Sequence, residues 1–570
     1  MAGEFQVTGT NTAAPLTLKL HRGEGMALLA MNWKAGKPPR DFVGFAIEYR
    51  EPGGDRFYAL KNRIAFPAPG GEVNSATLST RLSPIQKFRW IHFPRNAHLA
   101  GKFTYRVTPV LMNPQDELSY GAAQEAAIEL RGETLPGKLN VAFTRGFVSS
   151  QAFVDRYVSK GPVAGLLPKN ADGGLDFEPT HPLADDALEW MGFEARQAIL
   201  DVLDRAVADK KAQVRVVAYD LSEPGVVTRL EKLGKRLRVI IDDDGPHGKP
   251  TSPETRAAKR LAKSAGKANV KRQHLGKLQH NKTIVVDGPT VKAAVCGSTN
   301  FTWRGFYVQA NNALVLQGAK AVKRFSQAFD DYWANDKPTG FGQTGSAKLT
   351  PLGLAGVKVS VGFSPFAPAN AMLAEIGEDV GERTRSSLFY SLAFLYQTKG
   401  PIRDAIEKVT KGKGVFVYGI SDRKVGGLDL QKPDGNVAPV RPAALAKDVP
   451  QPFKSEPTGG GGNRMHHKFL VIDFDKPTAR VYLGSYNFSA AADTKNGENL
   501  VLVRDRRVAT AYTVEALRLF DHYHFRVAQQ ESKKAKKKLQ LAKPPAPGKK
   551  PWWDEHFTSP RKVRDRELFA

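Results

Sequence analysis

Two stretches of the chain place a histidine, a lysine and an aspartate at the same intervals and then repeat the same glycine-serine turn. The first is His280-Asn-Lys282-Thr-Ile-Val-Val-Asp287, followed by Gly297-Ser298-Thr-Asn300-Phe301. The second is His466-His-Lys468-Phe-Leu-Val-Ile-Asp473, followed by Gly484-Ser485-Tyr-Asn487-Phe488. An imidazole can attack an electrophile or move a proton near neutral pH, and a lysine beside it stabilises anionic oxygen. Each stretch therefore offers one imidazole, one fixed positive charge and two hydrogen-bonding side chains to a single spot. Finding H-x-K-x4-D and G-S-x-N-F twice in one chain is not a chance event.

The local pattern says how these groups are held. Each H-x-K opens a β-branched and aliphatic run, so it begins a buried strand. A period of two puts His280 and Lys282 on one face and Asp287 on the other; His466, Lys468 and Asp473 repeat that parity. Asp287 and Asp473 are thus expected to support rather than react. A second strand then ends at the Gly-Ser turn, which sets Ser298, Asn300, Ser485 and Asn487 beside the His and Lys as phosphate-binding or ring-orienting groups. The absence of G-x-S-x-G argues against a serine nucleophile. His467 faces away from His466 and reads as a packing residue, as does His274 in its own context. Cys296 reads as a small buried apolar side chain.

This doubled His-Lys-Asp pattern resembles the signature of the phospholipase D superfamily, over residues 137 to about 530. In the second repeat it is similar to the small bacterial nucleases of that family, where Gly484-Ser-Tyr-Asn-Phe-Ser leads through Asp493-Thr-Lys-Asn-Gly to Glu498-Asn499. The first repeat departs from it: Asn311 stands eleven residues after Asn300, where Glu498 stands after Asn487. Family members often keep a Glu there that holds the His of one half. The resemblance implies a metal-independent phosphoric diester hydrolase with no cofactor. One His would form a phosphohistidine, with His280 the favoured nucleophile by analogy, and the other would protonate the leaving oxygen and then activate water. Lys282, Lys468, Asn300 and Asn487 would stabilise the non-bridging oxygens.

The elements that must position these groups fall into four segments. Residues 1–134 read as an all-β sandwich, with alternating runs at 16–20, 27–33, 44–49, 57–59, 104–111 and 126–130. Trp33 and Tyr105, the latter placed like a corner tyrosine that ties a loop to the backbone, resemble a fibronectin type III-like module. Residues 137–347 and 355–530 alternate strands and helices in the same order, which signals duplication. In the first, strands are expected at 139–143, 214–219 and 237–241 and helices at 185–206 and 226–235. In the second, strands are expected at 357–361 and 415–420, and helices at 382–397, on the stripe Leu388, Leu392, Leu395, and at 402–409. The fold class is therefore multi-domain: an N-terminal sandwich and a duplicated α/β catalytic region whose two pseudo-twofold halves meet at the paired motifs. Residues 531–570 form a basic, Pro-rich tail, whose Trp552-Trp553 are expected to dock back on the core.

Composition narrows the partner. The chain has 84 Lys+Arg against 57 Asp+Glu, a formal charge of +27, which calls for a negatively charged partner. Lys259, Arg260, Lys263, Lys267, Lys271 and Arg272 precede the first motif on a helix-like segment and suit a polyanion rail. Nucleic acid is the favoured substrate. An anionic phospholipid membrane surface is the alternative, and a catalytically idle nucleic-acid-binding scaffold a second one. The sandwich is read as an accessory module for a partner the sequence does not specify. One cysteine excludes an intrachain disulfide and a cysteine metal cluster. Neither H-E-x-x-H, a P-loop nor carboxylates clustered with two-metal spacing occur. Gly459–Gly462 reads as a lead-in to His466 that either flexes or simply tolerates insertion. With no signal-like N-terminus and no long apolar run, a cytoplasmic protein is the default expectation, and export without a cleaved signal remains open.

Overall fold

The computed structural model describes residues 4–570 apart from 63, 68–77, 147–152, 154–155, 170–172, 394, 396–398, 413, 424–427, 441–464 and 537–538. The glycine run at 459–462 and Lys537 and Lys538 of the tail lie outside the described residues. Two compact units form: residues 1–132, 432–436 and 510–570 make one, and residues 133–431 and 437–509 make the other. No helix among the described residues is long and apolar enough to cross a membrane.

In the first unit the alternating runs become strands of two antiparallel sheets. One contains Gln6–Thr8, Leu16–Arg22, Ala27–Trp33 and Arg89–His92, in that order. The other sets Tyr58–Ala59 and Phe42–Arg50 beside Lys102–Met112, which also pairs with Leu118–Tyr120 and Gln124–Glu129. Alternate residues of both sheets, among them Leu18, Leu20, Leu29, Phe45, Ile47 and Phe103, fill one core, as period-two burial requires. Tyr105 departs from expectation. Its hydroxyl lies 3.1 Å from Nδ1 of His92, so it ties one sheet to the other through a side chain rather than holding a loop by its backbone.

The C-terminal segment read as a tail belongs to this unit. Trp553 is buried in the same core, and Trp552 donates from Nε1 to the Phe42 carbonyl at 3.1 Å. His21 Nε2 lies 2.6 Å from the Phe569 carbonyl oxygen, and Arg89 is held between Asp521 and Asp565. An indole brings a large apolar area to a small core, which explains why two tryptophans stand where the composition is otherwise basic and Pro-rich.

The second unit contains two sheets that repeat one order. The first runs Leu139–Phe143, Asn312–Gln317, Lys292–Gly297, Lys282–Asp287, Gln213–Ala218, Leu237–Ile241 and Val270–Arg272. The second contains Lys358–Ser364, Glu498–Arg504, Arg480–Gly484, Phe469–Ile472, Ser387–Leu392 and Phe416–Asp422 as the same six-strand series, extended by short strands at both ends. In both, four antiparallel pairings lead to a parallel one, between Gln213–Ala218 and Leu237–Ile241 or between Ser387–Leu392 and Phe416–Asp422, and the first sheet adds a second parallel pairing to Val270–Arg272. The expected helices form as Ala184–Ala208, Pro224–Leu233 and Pro401–Lys411.

The helix expected at 382–397 does not form. A helix Leu373–Arg383 ends there, and Ser387–Leu392 is instead a central strand with all six residues buried. A strand covered on both faces reads as a continuous apolar run, and its leucines happened to fall at helical spacing. With this correction the two halves share strand-helix-strand-helix-strand throughout. Because Trp553 fills the sandwich core, Trp553→Ala should destabilise the first unit by about 3–5 kcal/mol, measured by denaturant unfolding, while leaving the unfolding of the second unit unchanged.

Candidate active site

Both motifs begin where the chain enters its sheet. His280 precedes the strand that starts at Lys282, and His466 and Lys468 precede Phe469–Ile472. The neighbouring strands end at Gly297 and Gly484, with φ of 132° and 135°. A Cβ there would stand 2.5 Å from the Asn312 carbonyl oxygen or 2.2 Å from that of Asn499. Only glycine fits this close passage, which accounts for the G of each G-S-x-N and lets Ser298 and Ser485 turn back against the adjoining strand.

The two halves then complete one another. The His280 and His466 rings lie 6.4 Å apart between centroids. Nδ1 of His280, in the first half, is 2.7 Å from Oε2 of Glu498 in the second. Nδ1 of His466 is 2.8 Å from Oδ1 of Asn311 and 3.0 Å from the Ser298 carbonyl, both in the first half. All three partners accept hydrogen bonds, so Nδ1 carries the proton in each ring and Nε2 is left for chemistry. The next residues are crossed in the same way. Asn499 donates to Oδ1 of Asn281 at 3.1 Å, and Asn312 lies 3.3 Å from Nδ1 of His467. His467 is buried among Phe143 and Phe469, the packing position that its parity indicated.

The lysines make the cluster electrostatically costly. Lys282 donates to the carbonyl of His280, and Lys468 to that of His466 at 2.8 Å. Burial, with Lys282 nearby, lowers Lys468 from 10.5 to about 7. Burial lowers Lys282 to about 8, with Glu498 and Asp220 opposing the shift. Burial also lowers His280, against the pull of Glu498, and lowers His466 well below its ordinary range with the help of Lys468 and Lys282. Buried bases whose protonated forms are disfavoured in this way gain from the arrival of an anion.

The remaining expected residues divide. The Ser298 hydroxyl donates to Asn311 at 2.9 Å and accepts from the Asn312 N–H at 3.0 Å, so it orients His466 through Asn311. Ser485 accepts from the backbone and side chain of Asn499, both at 3.0 Å. Asn300 donates to Asp220 at 2.5 Å, while Asn487 is part-exposed. Asp287 turns away to pair with Lys292, and buried Asp473 accepts from the backbone N–H groups of Arg385, Ser386 and Ser387. Cys296 is buried, and burial raises its thiol pKa. His274 pairs with Asp243 at 2.8 Å on the surface.

The basic stretch does not act as one rail. Arg260 is paired with Glu231, Lys271 with Asp336, and Arg272 is tied to the carbonyls of Asp242 and His247. Lys259, Lys263 and Lys267 remain exposed.

Sequence reasoning missed a third histidine beside the site. His247 bridges Asp242 and Asp220, at 2.8 and 2.9 Å, and Asp220 in turn holds Asn300. Asp242 also accepts from the Gln279 N–H at 2.6 Å, one residue before His280. The Tyr219 ring packs against both His247 and His280 and under Lys282. Burial opposes protonation of His247, but the hydrogen bonds to Asp220 and Asp242 prevail and raise it to about 10. Burial and Asp220 raise Glu254 to about 7. Asp220, His247 and Glu254 lie within 4.8 Å of one another, a grouping of potential metal ligands assembled from three segments that no sequence spacing displayed. The His247 imidazolium already supplies the positive charge between Asp220 and Asp242. One signal was available: Asp220 and Asp242 follow the carboxyl ends of the parallel strands, where α/β sheets place their sites.

Two matching α/β halves with a single composite site between them define a duplicated-domain architecture. The chain belongs to the phospholipase D superfamily: the family model described as cardiolipin synthase, PLD-like domain, matches residues 196–333 and again 383–520. Over 47 residues, 8% of this chain, it is 45% identical to a phospholipase D of Rickettsia felis and spans 22% of that protein's length. Among solved structures, Nuc from Salmonella typhimurium, a phospholipase D family member, is 26% identical with a TM-score of 0.21, covering 25% of this chain and 88% of Nuc. A phosphatidylserine synthase from Haemophilus influenzae is 13% identical with a TM-score of 0.40, covering 59% of this chain and 90% of the synthase.

The cation cluster has a measurable effect on stability. Lys468 binds a proton below about 7 when folded and below 10.5 when unfolded, so between those values the unfolded chain holds more protons and stability rises with pH. Lys468→Met should remove that rise. It should stabilise the second unit most below pH 7, by about 1 kcal/mol or more, raising Tm by roughly 2–4 °C, and the advantage should shrink toward pH 10.5. Thermal unfolding of both proteins across this pH range measures it.

Proposed function

We propose that this chain is a nuclease that hydrolyses phosphodiesters through a phosphohistidine on His280, without a metal ion. The reading rests on one observation above all: two buried imidazoles, 6.4 Å apart, are flanked by two buried lysines, a space suited to one phosphate. Nε2 of His280 attacks phosphorus, the bond to the leaving oxygen breaks, and Nε2–H of His466 gives that oxygen its proton. Water then gives a proton to His466 while its oxygen attacks phosphorus; the N–P bond breaks and returns the electron pair to His280. The Glu498 carboxylate suits His280 to the nucleophile's role, because it offsets the positive charge that the ring acquires when phosphorylated. His466 has only neutral partners, which suits a group that must release its proton. An arriving phosphate brings the negative charge that restores protonation of His466, Lys468 and Lys282, so substrate binding itself arms the acid.

Nucleic acid is favoured as substrate by the +27 charge and by the sparse apolar surface of the second unit. Among its described residues, Leu183 and Val437 are the large hydrophobic side chains that stand exposed, whereas an enzyme working at a bilayer gains from an apolar rim. Phospholipid hydrolysis is the second reading, and the short match to the Rickettsia felis phospholipase D favours it.

Two outcomes follow from the mechanism. His280→Ala and His466→Ala should each lower phosphodiester turnover by at least 1,000-fold on the scale typical of such units, and the double variant should be little worse, because the two serve successive steps; single variants that keep half the activity would refute a shared site. With DNA, RNA and phosphatidyl lipids assayed side by side, cleavage of whichever is turned over should survive excess EDTA. Loss that Mg²⁺ or Zn²⁺ restores would instead assign a catalytic ion to the Asp220, His247 and Glu254 grouping.

A further inference from the structure

At the opposite end of the second sheet from the histidines lies a groove of about 910 Å³, lined by Lys358, Arg383, Arg385, Arg480 and Arg504 around the single carboxylate of Asp379. That carboxylate is already spent. It takes Arg480 at 2.7 and 2.9 Å and the Tyr482 hydroxyl at 2.9 Å. Arg383 is shared with Glu378. Lys358, Arg385 and Arg504 are exposed; among the described residues the Arg385 guanidinium bonds to the backbone carbonyls of Glu382 and Thr384. The groove floor is rigid, since buried Arg480 also binds the Thr478 carbonyl at 2.9 Å. Lys358, Arg385 and Arg504 have no carboxylate partner among the described residues, and around the held Arg480 they form a site for phosphate groups.

Strand register places this groove relative to the chemistry. Lys358 pairs with Arg504 at one end of two neighbouring strands, and Ser364 pairs with Glu498 at the other. Glu498 holds His280. Six residue steps of about 3.4 Å put the groove roughly 20 Å from the catalytic end, which is about six nucleotides at 3.4 Å along one strand of a duplex. We infer that the groove is a second binding site for the phosphate backbone of the nucleic acid whose scissile bond sits between His280 and His466. The inference rests on the nucleic-acid reading of the active site and adds to it a site that only longer substrates reach.

The test compares labelled oligonucleotides of 6 and 20 nucleotides on the native protein and on the triple variant Lys358→Glu, Arg385→Glu, Arg504→Glu, at several salt concentrations. The native protein should bind the longer strand at least 10-fold more tightly than the shorter. The variant should lose that advantage, and its slope of log K against log salt should fall by roughly two units, three contacts at about 0.7 each. Binding of the 6-nucleotide strand and hydrolysis of bis(4-nitrophenyl) phosphate should stay native, which also shows that the variant folds. A variant that binds and cleaves the 20-nucleotide strand like the native protein overturns the groove and leaves the active-site reading standing. A native protein that binds neither strand but turns over phosphatidyl lipids in vesicles overturns both.

Discussion

Each half of the second unit carries a histidine that it cannot hold by itself. Glu498 reaches out of the second half to Nδ1 of His280, and Asn311 reaches out of the first to Nδ1 of His466. Every other feature of the site follows from this crossing. Each Nδ1 is bound from the opposite half, which leaves Nε2 of each ring for chemistry, and that arrangement exists only when the halves are docked. Asn499 with Asn281, and Asn312 with His467, continue the exchange one residue further along each strand. The site and the interface between the halves are one set of hydrogen bonds.

The crossing is not symmetric, and the asymmetry has chemical content. A carboxylate behind His280 favours the positively charged ring, whereas an amide and a carbonyl behind His466 do not. Glu498 is fully buried, and burying a lone carboxylate among apolar groups would cost several kcal/mol. It stands instead among His280, Lys282 and Lys468. Burial lowers the affinity of both lysines for their protons, and for Lys468 the neighbouring Lys282 adds to it. The unliganded site is thus strained in charge rather than in geometry, the usual trade between stability and function at a binding site.

Around the first half the fold adds a further layer. Asp242, His247 and Asp220 form a buried hydrogen-bonded series that ends on Asn300, and Tyr219 packs between His247 and His280. The same Asp242 fixes the backbone just before His280. These contacts restrict Asn300 and the strand that follows His280, and their carboxylates oppose the loss of charge on Lys282.

The paired motifs were legible in the chain, and so was most of the architecture. Repeated spacing revealed the two motifs, period-two parity turned Asp287 and Asp473 away, and alternation marked the sandwich strands; all are local properties that a short window contains. The central strand Ser387–Leu392 escaped because burial on both faces erases alternation. Which group backs which histidine is a different kind of fact. Glu498 lies in the same half as His466, 32 residues further along the chain, yet it backs His280, which is 218 residues away. His247, Glu254 and Asp220 converge from separate segments, and the cations of the groove come from four. The sequence by itself determined the paired His-Lys motifs and the strands that carry them, because those depend on local spacing. Their partners were decided by tertiary structure, because a hydrogen bond across an interface depends on how two sheets dock, and no local pattern contains that.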